Sequence, residues 1–179
     1  MKFKALTLAS LLLATTAQAS DFKATSPDFA DGKVHEAQFS DGFGCTGANV
    51  SPAVSWSGAP EGTKSFVVTM YDKDAPTGSG FWHWVVVDVP ATAKGLAAGA
   101  GSAPAKLPKG ARMSANDASQ ATFLGACPPT GETHDYTITV KALKVDTLPV
   151  PENATAALIG FVSNMNTLAT ATISASGSR

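Results

Sequence analysis

Tyr71-Asp72-Lys73-Asp74-Ala75-Pro76-Thr77-Gly78-Ser79-Gly80-Phe81-Trp82-His83-Trp84 runs without a break into Val85-Val86-Val87-Asp88-Val89-Pro90. Just before it, Ser65-Phe66-Val67-Val68-Thr69-Met70 is β-branched and aromatic, and short enough for a buried strand. Residues 84–89 read the same way, so the polar cluster is the connection between two central strands. Asp72 and Asp74 can bond their own backbone in Asx turns, Pro76 presets a turn, and Gly78 and Gly80 permit positive φ. The turn is therefore rigid and points its carboxylates outward. His83 and Trp84 are neighbours on a strand, so one side chain faces the cavity of the turn and the other enters the packing. Any single Asp here is an ordinary turn residue; the cluster as a whole outlines a pocket.

Around this stretch, 179 residues with 44% hydrophobic and 15% charged content suit one globular domain with a sizeable core. Residues 1–19 read as a secretory signal peptide: Lys2 and Lys4, an apolar run over 5–14, and Ala17-Gln18-Ala19 before Ser20. That run is shorter than the roughly 20 apolar residues a spanning helix needs. The reading is a leader over 1–19 and a single domain over 20–179, periplasmic or secreted, with no membrane span. Losing the two leader lysines takes the formal charge from −1 to −3, and no basic block remains to hold nucleic acid. In an oxidising compartment Cys45 and Cys127 are free to form a disulfide, or to stay as two buried thiols.

Residues 22–25 and 34–39 are short strand candidates separated by Asp31-Gly32, a hairpin-type turn. His35, amid Lys33, Glu36 and Gln38, reads as a surface histidine. The span 40–60 is loop-rich with one brief strand at 53–56. Residues 91–122 lose periodicity, which marks a functional lid or a disordered span. Residues 136–142 alternate, with Tyr136, Ile138, Val140 and Ala142 on one face of a half-buried antiparallel strand. His134 shares that face. Over 153–169, Leu158, Phe161, Val162, Met165 and Leu168 fall at the spacing of one helical face, with Asn153 or Thr155 as cap. A last strand is expected over 170–174.

A second cluster stands far from the first: Gly125-Ala126-Cys127-Pro128-Pro129-Thr130-Gly131-Glu132-Thr133-His134-Asp135-Tyr136. Together, Asp72-Lys73-Asp74-Ala75-Pro76 with its following His83, and this Cys-Pro-Pro stretch, resemble the two motifs of the phosphatidylethanolamine-binding protein family. The resemblance spans nearly the whole mature chain and is nearest to the secreted bacterial YbhB/YbcL-type, Raf kinase inhibitor-like branch. It implies a mainly β fold with a central antiparallel sheet, a second smaller sheet and peripheral helices, one near the C terminus. It makes Asn49, Ser51, Pro52 and Trp56 scaffold beside the pocket, and favours a Cys45–Cys127 disulfide. Leu107-Pro108-Lys109-Gly110 and Asn116-Asp117 match family landmarks, which favours an ordered loop bordering the pocket. It implies a ligand site built from Asp72, Asp74, Pro76, His83, Pro128, Gly131, His134 and Tyr136. Departures are Lys73 for the usual Pro, Asp88 for Asn, Asp135 for a common Arg, and an end, Ser174 to Arg179, that lacks the family's Tyr.

Two carboxylates and two histidines suit an anion if a carboxylate holds an imidazole by one nitrogen, so that the protonated ring donates from the other. His83 and His134 are the expected donors, with Asp72 orienting one of them and glycine-turn N–H groups adding to the set. The expected function is non-enzymatic binding of phosphate-bearing ligands such as phospholipid head groups, with inhibition of a kinase or protease by direct contact as a family property. Two other classes compete. One is an interaction inhibitor whose pocket is incidental. The other is a His/Asp acid-base or metal-dependent hydrolase, disfavoured because no His-x-His or His-x-x-x-His pair and no Gly-x-Ser-x-Gly elbow occurs. No cofactor, resident metal or catalytic residue is expected; a homodimer is what bacterial relatives suggest.

Overall fold

A computed structural model describes residues 21–179, so the leader read over 1–19 lies outside the described residues. The strands in chain order are β1 (Lys23–Thr25), β2 (Val54–Ser57), β3 (Ser65–Asp72), β4 (Phe81–Pro90), β5 (Gly95–Leu96), β6 (Arg112–Met113), β7 (Thr133–Leu143) and β8 (Thr167–Ser178), with helix α1 (Ala156–Asn166) before the last. Two antiparallel sheets result, β1-β2-β5 and β6-β4-β3-β7-β8. The fold is mainly β, as expected. Among the described residues no helix is long and apolar enough to cross a membrane.

The two-residue period of a strand explains how the core divides. On β3, Phe66, Val68 and Met70 face the small sheet, where they pack with Phe22, Trp56, Trp84, Ile138 and Val140. Val67, Val85 and Val87 face the opposite way, against Leu148, Ala156 and Ile159. Both faces of the large sheet's centre are thus covered, which is why β3 reads as a continuous apolar run rather than an alternating one.

Three expectations change. Residues 34–39 form no strand. Glu36–Gln38 is a single 3-10 turn, and the carbonyls of Glu36, Ala37 and Phe39 accept from Ala48, Val50 and Asn49. The backbone groups a ladder would use are taken by the 48–50 loop. Residues 91–122 are ordered and divide between the sheets: Gly95 and Leu96 pair with β2, while Met113 and Arg112 pair with Val86 and Val87 at the outer edge of β4, where Trp82 and Asp117 exchange hydrogen bonds. The segment contributes no wall to the cavity at Asp72.

The third change concerns α1, which Thr155 caps by accepting from the Leu158 N–H. It buries Ala156, Ile159 and Ser163. Phe161 and Met165 are each 64% exposed and Leu158 is 38% exposed. The apolar stripe read from the sequence is therefore not the face the sheet covers. The helix ends directly into β8, which starts earlier and runs longer than the strand expected over 170–174, and pairs with β7 along its whole length.

Candidate functional site

The site begins with a register irregularity. Between β3 and β4 the pairing passes from Met70↔Trp84 to Tyr71↔Trp82, which leaves His83 without a residue opposite. Such a bulge re-aims the side chain of the extra residue. His83 consequently lies against Phe81 and, edge-on at 5.3 Å between ring centroids, against Tyr136. Asp72 ends β3 opposite both Phe81 and Tyr136. His134 and Tyr136 share one face of β7, so four polar side chains from three adjacent strands converge.

Asp72 is nearly saturated. Its Oδ1 accepts from the N–H groups of Asp74 and Ala75 at 2.8 and 3.1 Å, the Asx turn expected of this sequence. Its Oδ2 accepts from Nδ1 of His134 at 2.7 Å and lies 3.9 Å from Nε2 of His83. The other ring nitrogen of His134 meets Glu132 at 3.1 Å, so both nitrogens of this imidazole face carboxylates. His83 donates Nδ1–H to the Leu124 carbonyl at 2.9 Å, and its Nε2 is buried with no partner. The Tyr136 hydroxyl is likewise buried without a partner.

The electrostatics follow. Burial works to raise the Asp72 carboxyl, but the imidazoles of His83 and His134 and the Asp74 N–H outweigh it and hold the group at about 2. Burial works to lower His134, and Asp72 and Glu132 outweigh it, so the imidazolium is favoured. Tyr136 is pushed up, first by burial and then by the Asp72 charge, and stays a neutral donor.

Asp72, Pro76, His83 and His134 line a cavity of about 210 Å³, with Phe43, Phe81, Leu124, Gly125, Cys127 and Pro129 among its other walls. Polar groups form the floor and apolar side chains the rim. The other expected residues fall elsewhere. Asp74 turns outward, accepting from Lys73 and from the Asp135 N–H. Pro128 and Gly131 shape the Cys-Pro-Pro turn without lining the cavity, and Tyr136 stands behind His83.

Phe43 was not legible. It is 74% exposed, holds φ +56°, and reaches the rim because Cys45 is bonded to Cys127 across 82 residues of chain. Arg179 Nη2 donates to the Gly44 carbonyl beside it, at 2.7 Å. A larger recess of about 330 Å³ lies beyond the disulfide, but its charged residues, Glu36 and Arg179, are both exposed. The buried chemistry is in the smaller cavity. Among the described residues no group of three or more His, Cys, Asp or Glu is arranged to hold a metal ion.

Comparison with known proteins bears on this geometry. The family described as phosphatidylethanolamine-binding protein matches residues 25–177. The chain belongs to that family. It is 50% identical over 161 residues to UPF0098 protein YbcL of Escherichia coli (strain K12), covering 88% of each chain. UPF0098 protein YbhB of the same organism is 46% identical over 154 residues, covering 86% of this chain and 98% of that one. The crystal structure of E. coli YbcL, described there as a new member of the mammalian PEBP family, superposes with a TM-score of 0.85 at 46% identity, covering 89% of this chain and 99% of that one.

Within the family pattern, the departures of this chain are accommodated away from the cavity. Lys73 bridges Asp74 and Asp135 at 2.8 and 3.1 Å. Asp135 also accepts from the Ser176 hydroxyl, so its charge is turned from His134 and spent on the surface. Asp88 sits at φ +58° in β4, where its two oxygens accept from Arg112 Nε at 2.9 Å and the Leu148 N–H at 2.7 Å. Asn49, named as scaffold, accepts from the Gly125 N–H at 2.7 Å. Gly125 has no room for a side chain there: a Cβ would lie 2.4 Å from the Ser40 nitrogen.

Proposed function

We propose that this chain is a non-enzymatic binding protein of the exported compartment whose cavity takes phosphate-bearing small molecules, phospholipid head groups among them. The observation that carries this reading is the buried Nε2 of His83, without a partner in the wall of the cavity, beside a carboxylate that is already hydrogen-bonded. Buried polar groups are normally satisfied; with Nδ1–H held by Leu124, His83 Nε2 meets a ligand oxygen when it carries a proton and a ligand O–H when it does not. The apolar rim suits a substituent that is less polar than the phosphate.

A Cys45–Cys127 disulfide supports the exported setting, since such bonds persist in oxidising compartments. Family membership supports two further proposals that the cavity does not require: inhibition of a kinase or protease by direct contact, and pairing into a homodimer. Titration calorimetry with phosphoethanolamine tests the central reading. Measurable binding that His83→Ala weakens at least tenfold supports it; no binding, or equal affinity in the variant, rejects it.

A further inference from the structure

The floor of the cavity is asymmetric in a way that bears on which anions it accepts. Asp72 Oδ1 is used by two backbone N–H groups, and Oδ2 accepts one hydrogen bond, from His134. A carboxylate oxygen accepts two, so Oδ2 keeps one lone pair, next to the unpartnered Nε2 of His83. A ligand oxygen that reaches His83 therefore also meets a carboxylate that is ionised across the physiological range.

A fully deprotonated anion meets that carboxylate as like charge, with no hydrogen between them. An anion that retains an acidic O–H converts the same contact into a charge-assisted hydrogen bond. We propose that Asp72 makes the cavity selective for oxyanions that keep a proton, such as the monoanions of phosphomonoesters, over isosteric anions that carry none. The proposal rests on the reading of the cavity as an anion site and assigns its specificity to one residue. In this arrangement His83, its Nδ1–H held by Leu124, donates to one ligand oxygen from a protonated Nε2, and Asp72 accepts from the ligand O–H. Phosphodiesters, having no acidic O–H, fall behind monoesters in the same cavity.

The groups facing Asp72 leave it this role. From β4 there is His83; from β7 there are His134, a donor already engaged, and Tyr136, a donor. Glu132 faces the far side of His134 and is largely exposed. Lys73, Asp74 and Asp135 form their own network on the outer side of the turn. Asp72 is thus the acceptor at the floor.

Methyl phosphate and methyl sulfate at about pH 5 provide the test. Both are singly charged and nearly identical in size, and they differ by one O–H. Calorimetry on the wild-type protein should show methyl phosphate binding about ten- to a hundredfold tighter. The ratio of the two affinities should fall as pH rises through the second phosphate ionisation, near 6. Asp72→Asn should bring the two affinities to within about threefold, and the wild-type ratio stands as the test should that variant fail to fold. Equal wild-type affinities, or a ratio that does not change with pH, overturn the selectivity and leave the anion site standing. Binding of neither ligand overturns both.

Discussion

Asp72 and His134 lie 62 residues apart in the chain, yet their side chains meet at 2.7 Å, carboxylate Oδ2 to imidazole Nδ1, at the ends of adjacent strands. Each fixes the other's charge. The carboxylate is held low and the imidazole high, so the pair is ionised together at the floor of the cavity.

This pairing makes stability depend on pH in a definite direction. Asp72 sits at about 2 when folded against an ordinary 3.8, so it stabilises the fold above 3.8, and that contribution is lost as pH falls toward 2. The magnitude is roughly 2 kcal/mol. His134 is raised, so its contribution is complete below 6.5 and is lost as pH rises through its folded value. Urea denaturation from about pH 2 to 8 should show a maximum between these limits, and Asp72→Asn should flatten the acid limb. An unchanged acid limb in that variant would assign acid sensitivity to other carboxylates.

The three histidines should separate by role. Removing His83 deletes a ligand donor and should weaken phosphoethanolamine binding about ten- to a hundredfold; it also leaves the Leu124 carbonyl without its donor, at about 1 to 3 kcal/mol in folding. Removing His134 leaves the buried Asp72 charge without its partner, so His134→Ala should weaken binding and also cost about 1.5 to 3 kcal/mol in folding. His35 is exposed and meets only Asp31, so His35→Ala should alter neither. Calorimetry and thermal denaturation on the three variants distinguish these outcomes.

The Cys45–Cys127 bond closes a long loop, with a sequence separation of 82. In the chain-entropy account it contributes at most about 4 to 5 kcal/mol. Reduction should lower the urea midpoint by a matching amount. It should also increase protease cleavage next to Phe43, because the 42–45 turn is then held by the Arg179 contact, the Ser40 hydroxyl and its own backbone bonds. Equal midpoints with and without reductant would count against this.

Arg112 and Asp88 pin the far end of β4. Arg112→Ala strands a buried carboxylate at a positive-φ position and should cost about 1.5 to 3 kcal/mol in equilibrium unfolding. Methyl phosphate affinity should stay as it was, since this pair is remote from the cavity. A loss of affinity would instead tie β4's second irregularity to the site.

The two faces of α1 should respond in opposite ways. Ile159→Ala opens a hole in the packed layer and should cost about 2 to 5 kcal/mol. Phe161→Ser alters an exposed side chain and should stay within about 0.5 kcal/mol. Thermal denaturation of the two variants compares them directly.

The sequence by itself determined the three central strands of the large sheet, the rigid turn after β3, the two motifs and the family they carry. Each depends on residues close together in the chain: apolar runs at 65–70 and 84–89, alternation at 136–142, and turn formers at fixed offsets. Only the tertiary structure decided where the side chains aim. His83 reaches the cavity because β4 carries one residue more than β3 between Trp82 and Trp84, and a register is a property of two strands, not of one. Asp74, equal to Asp72 in the local pattern, is claimed by Lys73 and the Asp135 N–H and turns outward. Phe43 joins the rim through a disulfide, and residues 34–39 lose their strand because the 48–50 loop folds back and takes their carbonyls. Helical spacing fixed which residues of α1 share a face, while the sheet beneath it decided which face is buried. Local periodicity is set by neighbours along the chain; register, burial and hydrogen-bond partners are set by whatever the fold brings alongside.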